Sequence, residues 1–199
     1  MQYEKMQYEV EQKFRLGEPA ESIVARLLQF GARAIGEVRQ ADHYFNHPVR
    51  NFATTDEALR IRSVGEQNWL TWKGPKIDQE TKTRREIESS LGDGSKTAEE
   101  IGEILTILGF QPVAVVQKVR KEFEVKRNGR RFEFAVDSVD RVGEFLEVEL
   151  LAEKADLQAA QDALRSLCAE IGLDDSLIER KSYLGLLLDR YRPKNTEVE

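Results

Sequence analysis

Tyr8-Glu9-Val10-Glu11-Gln12-Lys13-Phe14 is the stretch on which the fold turns. Side chains along a β-strand alternate between its two faces. Glu9, Glu11 and Lys13 therefore share one face, and Tyr8, Val10, Gln12 and Phe14 the other. One such strand is unremarkable at a protein surface. Here the pattern returns strand after strand. Ala58–Val64 sets Arg60 and Arg62 against Leu59 and Ile61, and Trp69–Lys73 sets Thr71 and Lys73 against Leu70 and Trp72. Lys82–Ser89 puts Arg84, Glu86 and Glu88 opposite Arg85 and Ile87. Val115–Val125 gathers Lys118, Arg120, Glu122 and Glu124 against Val119, Phe123 and Val125. Arg131–Asp137 alternates Arg131, Glu133, Ala135 and Asp137 with Phe132, Phe134 and Val136, and Glu144–Leu151 sets Phe145, Glu147 and Glu149 against Leu146, Val148 and Leu150.

The alternation admits two readings. In one, a sheet keeps its charged face in water, laced by cross-strand ion pairs. In the other, helices cover the apolar faces and the sheet curls around a charged interior, which must then be wet, paired or filled by a ligand. Candidate covering helices are Glu18–Gly31, with Gly31 as its stop, Lys96–Leu108, with Ile101, Ile104, Leu105 and Leu108 inward, a long helix over about 153–171, and Ser182–Tyr191. A further strand is expected over Glu37–Phe45, a loop over Asn46–Asp56, and a hairpin turn at Asn128-Gly129. The strands follow one another through short turns, as in antiparallel meanders. The result is an α+β domain over 1–192 without an internal linker, followed by a tail at 193–199 that reads as disordered.

Of the 199 residues 33% are charged, and the net charge is −6. That balance disfavours a nucleic-acid track. No apolar run approaches the ~18 residues of a membrane span, and no signal peptide is evident, so a cytoplasmic protein is expected. The single cysteine, Cys168, reads as core packing rather than as a nucleophile.

The mixture of charges defines a ligand class. Lys and Arg at close quarters suit phosphate oxygens, and clustered carboxylates suit hard cations such as Mg²⁺ or Mn²⁺. Together they suit a polyphosphate with its metal ions.

Glu9-Val10-Glu11-Gln12-Lys13 also matches the ExExK signature of the CYTH superfamily, the triphosphate tunnel metalloenzymes. Asp42-His43-Tyr44-Phe45, Glu57–Arg62, Leu70–Pro75, Thr83–Glu88, Lys118-Val119-Arg120, Asp137-Ser138-Val139 and Phe145–Glu149 follow in that family's order, and the resemblance spans about 6–190. The Tyr44-Phe45 region, Asn51–Asp56, Thr71–Pro75 and the closing Lys181-Ser182-Tyr183-Leu184 most resemble the class IV adenylyl cyclase branch.

The resemblance implies an antiparallel eight-stranded β-barrel, a tunnel, with helices packed outside. It implies metal binding by Glu9, Glu11, Glu147 and Glu149, and substrate binding by Lys13, Arg60, Arg62, Lys73, Arg84, Lys118 and Arg120. Glu11, Lys13 and Asp137 are the expected catalytic residues, with Asp137 near the metal or positioning another group. The implied substrate is ATP, tripolyphosphate or thiamine triphosphate. The implied reaction is cyclisation of ATP to cyclic AMP and pyrophosphate or, alternatively, hydrolysis of a terminal phosphate; non-catalytic polyphosphate binding is a third reading. A homodimer is compatible with the resemblance. His43 reads as a polar residue near the mouth, Lys181 as a surface lysine within reach of the tunnel, and Glu88 as lying at or beyond the mouth. Trp72 is expected in the core, and Trp69 remains open between core and base stacking.

Overall fold

The computed structural model describes residues 7–77 and 83–191. Eight strands form one closed antiparallel barrel in the order β1-β5-β4-β3-β2-β6-β7-β8. They are β1 (Gln7–Arg15), β2 (Arg33–Asn46), β3 (Ala58–Val64), β4 (Gln67–Lys73), β5 (Arg84–Asp93), β6 (Gln111–Arg127), β7 (Arg130–Val139) and β8 (Gly143–Glu153). The helices are α1 (Ala20–Gln29), α2 (Phe52–Thr55), α3 (Ser95–Ile107), α4 (Leu157–Ile171) and α5 (Tyr183–Tyr191). Short 3₁₀ turns occupy Lys154–Asp156 and Asp175–Leu177. The expected tail and Lys82 lie outside the described residues.

Strand pairing follows from local chemistry. Asn128 and Gly129 both take positive φ, 49° and 75°, and turn β6 tightly into β7. From that turn the register runs Phe123↔Phe134 and Arg120↔Asp137, which places residues of like character on one face. Closure is uneven. β1 pairs with β8 along its whole length, including Glu11↔Glu149 and Lys13↔Glu147. Against β5 it pairs, among the described residues, only through Tyr8↔Arg85 and Glu9↔Arg84.

The apolar faces point outward, under the helices. Val10 and Phe14 of β1, Phe123 and Val125 of β6, Phe132 and Phe134 of β7, and Leu146, Val148 and Leu150 of β8 form one core with Ile23 and Leu27 of α1 and Leu164, Leu167, Cys168 and Ile171 of α4. Leu59 and Ile61 of β3 pack with Phe45, Phe52 and Leu105, with Leu70 and Trp72 against them. The open reading is thereby resolved: the charged rows face into the barrel. Trp72 is core-facing as expected, and its indole N–H donates to Glu57 Oε1 at 3.2 Å. Cys168 is buried, and burial pushes its thiol up to about 12.

Several local expectations shift. Ile104 and Leu108 were expected inward on the third helix, but they are 50% and 64% exposed. Leu105 is the buried residue of α3, so the contact with the barrel is narrower than the helix's apolar stripe. Asn46–Asp56 contains a one-turn helix, because the Asn51 side chain accepts from the Ala53 N–H and caps it. The helix expected from 153 starts at Leu157, after the 3₁₀ turn.

One end of the barrel is stopped. Tyr183 and Leu187 of α5 pack on Tyr44, Val116, Val139, Val142 and Phe145. By register, Tyr44, Val116, Val139 and Phe145 belong to the interior rows, so α5 sits across that end.

Candidate active site

Three groups of charges fill the interior. The first is acidic. One carboxylate oxygen from each of Glu9, Glu11 and Glu149 lies within 4.8 Å of the others. β1 supplies two of these at consecutive inward positions, and the Glu11↔Glu149 register brings the third across from β8. Burial pushes the Glu149 carboxyl well above its usual range; Glu9 and Glu11 push further in the same direction, against Arg120. Crowded carboxylates of this kind are relieved by a cation, and an all-oxygen donor set fits Mg²⁺ or Mn²⁺. Glu147, expected in the same set, is engaged by the Arg120 guanidinium.

Beside this cluster stands a basic wall. Lys73 Nζ lies 2.6 Å from Glu9 Oε2 and 2.7 Å from Glu86 Oε2. Burial opposes its charge, but Glu9 and Glu86 more than compensate and hold the ammonium above its ordinary value. Arg84 stands opposite Glu9 across the β1–β5 seam and 3.8 Å from Asp56. Arg60 and Arg62 converge on Asp42. Arg62 donates to it twice, from Nε at 2.7 Å and Nη2 at 2.9 Å, and Arg60 Nη1 is 3.5 Å away. Burial alone would raise the Asp42 carboxyl, yet the two arginines hold it well below the usual carboxylate range. Arg60 Nε and Gln40 Oε1 are buried without a hydrogen-bond partner among the described residues. An unmatched guanidinium N–H inside the barrel fits an anionic oxygen.

The third group lies at the stopped end. Asp137 is fully buried. It accepts from Arg120 Nε at 2.8 Å and Nη2 at 2.6 Å, from the Tyr183 hydroxyl at 2.9 Å and from Lys118 Nζ at 3.4 Å. Lys13 Nζ donates to the Lys181 carbonyl and lies 4.0 Å from the centre of the Tyr183 ring, with Lys118 Nζ 5.1 Å from the same ring. Burial, helped by Arg120, lowers Lys118 to about 8. Burial also pushes the Tyr183 hydroxyl well above its ordinary value.

The barrel places the residues expected at the site on its inner rows, with Glu9, Glu11 and Glu149 clustered and Glu147 held apart from them by Arg120. It also adds two that sequence reasoning passed over. Asp42 was visible as the inward neighbour of Gln40 and Tyr44 on its strand. Tyr183 sits in the quoted closing motif, where Lys181 drew attention instead. Lys181 in fact pairs outward with Asp189 at 2.6 Å and gives the interior only its carbonyl. His43 is exposed. Glu88 is exposed and accepts from Thr71 at 2.9 Å.

A closed barrel lined by a carboxylate triad and by arginines and lysines on several strands defines a class by its charge: an interior whose chemistry suits a multiply charged anion with its cation. Comparison with known proteins gives the family. Residues 7–183 match the CYTH domain, and the chain belongs to that family. It is 34% identical over 179 residues to a protein of Methanocaldococcus jannaschii named "Putative adenylate cyclase", a match that covers 89% of this chain and 97% of the relative. The solved structure of the PH1819 protein from Pyrococcus horikoshii superposes with a TM-score of 0.79 at 34% identity, covering 92% of this chain and 99% of that one. A Hippeastrum protein, described as a putative adenylyl cyclase with a dominant triphosphatase activity, shares the fold at a TM-score of 0.64 and 15% identity, over 93% of this chain and 96% of that one.

Among the described residues no helix is long and apolar enough to cross a membrane.

Proposed function

We propose that this protein is a metal-dependent enzyme that acts on a triphosphate held inside the barrel. The observation that carries the reading is the Glu9–Glu11–Glu149 triad set directly against Lys73, with Arg60 and Arg62 beyond it. Glu9, Glu11 and Glu149 would hold Mg²⁺ or Mn²⁺, which when bound offsets phosphate charge and acts as a Lewis acid. Glu147 extends the acidic lining and orients Arg120. Lys73, Arg60, Arg62, Arg84, Lys118, Arg120 and Lys13 bind phosphate oxygens. Asp42 and Asp137 act as positioning residues: Asp42 fixes the guanidinium groups of Arg60 and Arg62, and Asp137 the Arg120 guanidinium and the Lys118 ammonium, cations that would otherwise repel one another and wander. Holding charge donors where charge develops supplies most of the rate in phosphoryl transfer.

The first reading of the reaction is cyclisation. The ribose 3′-oxygen of ATP bonds to the α-phosphorus and loses its proton, the bond from that phosphorus to the bridging oxygen breaks, and pyrophosphate leaves. The name of the Methanocaldococcus relative favours it. The second reading is hydrolysis of the terminal phosphate of tripolyphosphate, ATP or thiamine triphosphate. The interior favours it in one respect: the charged groups just described address phosphates and metal and require no base.

Product analysis separates these readings. Purified protein is incubated with each of the three triphosphates, with Mg²⁺ and with Mn²⁺, and the products are resolved by anion exchange. Equimolar cyclic AMP and pyrophosphate from ATP would establish the cyclase. Orthophosphate without cyclic AMP would establish the triphosphatase. Saturable binding without turnover would defeat both.

A further inference from the structure

Trp69 is a large apolar group on a charged wall. On β4, Leu70 and Trp72 turn outward to the α3 cluster, so Trp69, Thr71 and Lys73 form the inward row. The neighbours of that row are polar. Trp69 faces Arg62 across β3 and Ser90 across β5, and Thr71 faces Arg60 and Glu88. Trp69 is half-buried, yet it belongs to none of the three apolar clusters and to none of the ring–ring or cation–ring contacts found among the described residues. The packing of the barrel therefore does not account for an indole here.

Its place along the barrel gives it a use. Ala58, at the start of β3, packs against the α5 cluster at the stopped end. Trp69 lies beside the Gly65–Glu66 turn that joins the other ends of β3 and β4, at the end of the barrel away from α5. With a strand rise of about 3.3 Å per residue, Trp69 stands on the order of 13 Å from Lys73 along β4. A triphosphate anchored on Lys73, Arg60 and Arg62 would carry whatever it is esterified to out toward Trp69. Arg62 beside it is pinned bidentately on Asp42 and keeps the wall next to the indole rigid.

Resting on the triphosphate reading above, we propose that Trp69 is a stacking platform at the mouth of the barrel that makes it selective for nucleoside triphosphates over inorganic tripolyphosphate. An indole face binds any flat aromatic ring, and one base–aromatic stack is worth about ten- to a hundredfold in affinity.

The test is titration calorimetry on the full chain in Mg²⁺, with ATP, thiamine triphosphate and tripolyphosphate as ligands. Trp69→Ala is expected to weaken ATP by about tenfold or more and to leave tripolyphosphate within about twofold. Trp69→Phe should keep most of the ATP affinity. Because the chain has two tryptophans, Trp72→Phe leaves Trp69 as the sole indole, and its emission should respond to ATP far more than to tripolyphosphate. Equal losses for ATP and tripolyphosphate in Trp69→Ala would reveal a merely structural role and overturn the proposal, as would an unchanged ATP affinity. A loss confined to thiamine triphosphate would overturn the nucleoside assignment. If the unmodified protein bound none of the three, the triphosphate reading itself would fall, and this inference with it.

Discussion

Lys118 keeps its ammonium group where an ammonium is least welcome. It is buried, with Arg120 and Arg62 near it and Asp137 as its opposing charge. The folded protein therefore releases this proton at about pH 8, where an unfolded lysine holds it to 10.5. Across that window the unfolded chain binds more protons, so this group makes stability rise as pH increases. Urea unfolding of the wild type and of Lys118→Met at pH 7 and pH 10 checks the sign. The stability of the wild type relative to the variant should improve at the higher pH, and a constant difference would mean that Lys118 titrates normally. The other residues of the site divide by role. Glu11→Gln should abolish metal-dependent turnover while far-ultraviolet circular dichroism stays native. Lys73→Ala should mainly raise KM for the triphosphate. If Glu11→Gln keeps full activity, the carboxylate triad is not the metal site.

At the scale of the element, period-two alternation explains what the sequence made legible. Each strand carries its own record of inside and outside, so Arg60 and Arg62, or Glu147 and Glu149, could be paired without any tertiary information. β7 shows the other half of the same record. Phe134 points away from the charges and is 1% exposed between α1, α4 and the barrel wall. Phe134→Ala should cost about 3–5 kcal/mol in chemical denaturation, and a negligible change would mean that the faces are reversed. Helices carry a weaker record. The stripe on α3 reads as four inward residues, but how much of a helix touches a sheet depends on how the two dock, and Ile104 and Leu108 remain in solvent. Tyr183 was hidden for a related reason: a tyrosine at the start of an amphipathic helix gives no sign that its hydroxyl will end on an aspartate from β7. Asp42 shows a third limit. Its strand was placed correctly, but a lone acid between a glutamine and a tyrosine has no visible partner until β3 is laid beside it.

For the whole molecule, the charged interior is a cost that a bound polyanion with its cation would relieve. Buried ion pairs such as Arg120–Asp137 seldom stabilise a fold beyond their desolvation penalty. A ligand that binds only the folded barrel adds stability by mass action, about 2.7 kcal/mol at a hundred times its Kd. Tripolyphosphate with Mg²⁺ should therefore raise the melting temperature by several degrees, and by more than either component alone. A thermal shift absent for the combination would count against a triphosphate site. The pairing of β1 with β8 carries a further consequence, for synthesis on the ribosome. Two of the three clustered carboxylates are made with β1 and the third only with β8, Glu11 opposite Glu149. β1 cannot find its long partner until the seven other strands of the barrel have been made. Contacts this distant in sequence close late and slowly. A nascent chain must therefore shield an unpaired, charge-bearing strand until β8 is made, and the carboxylate triad does not exist before that point.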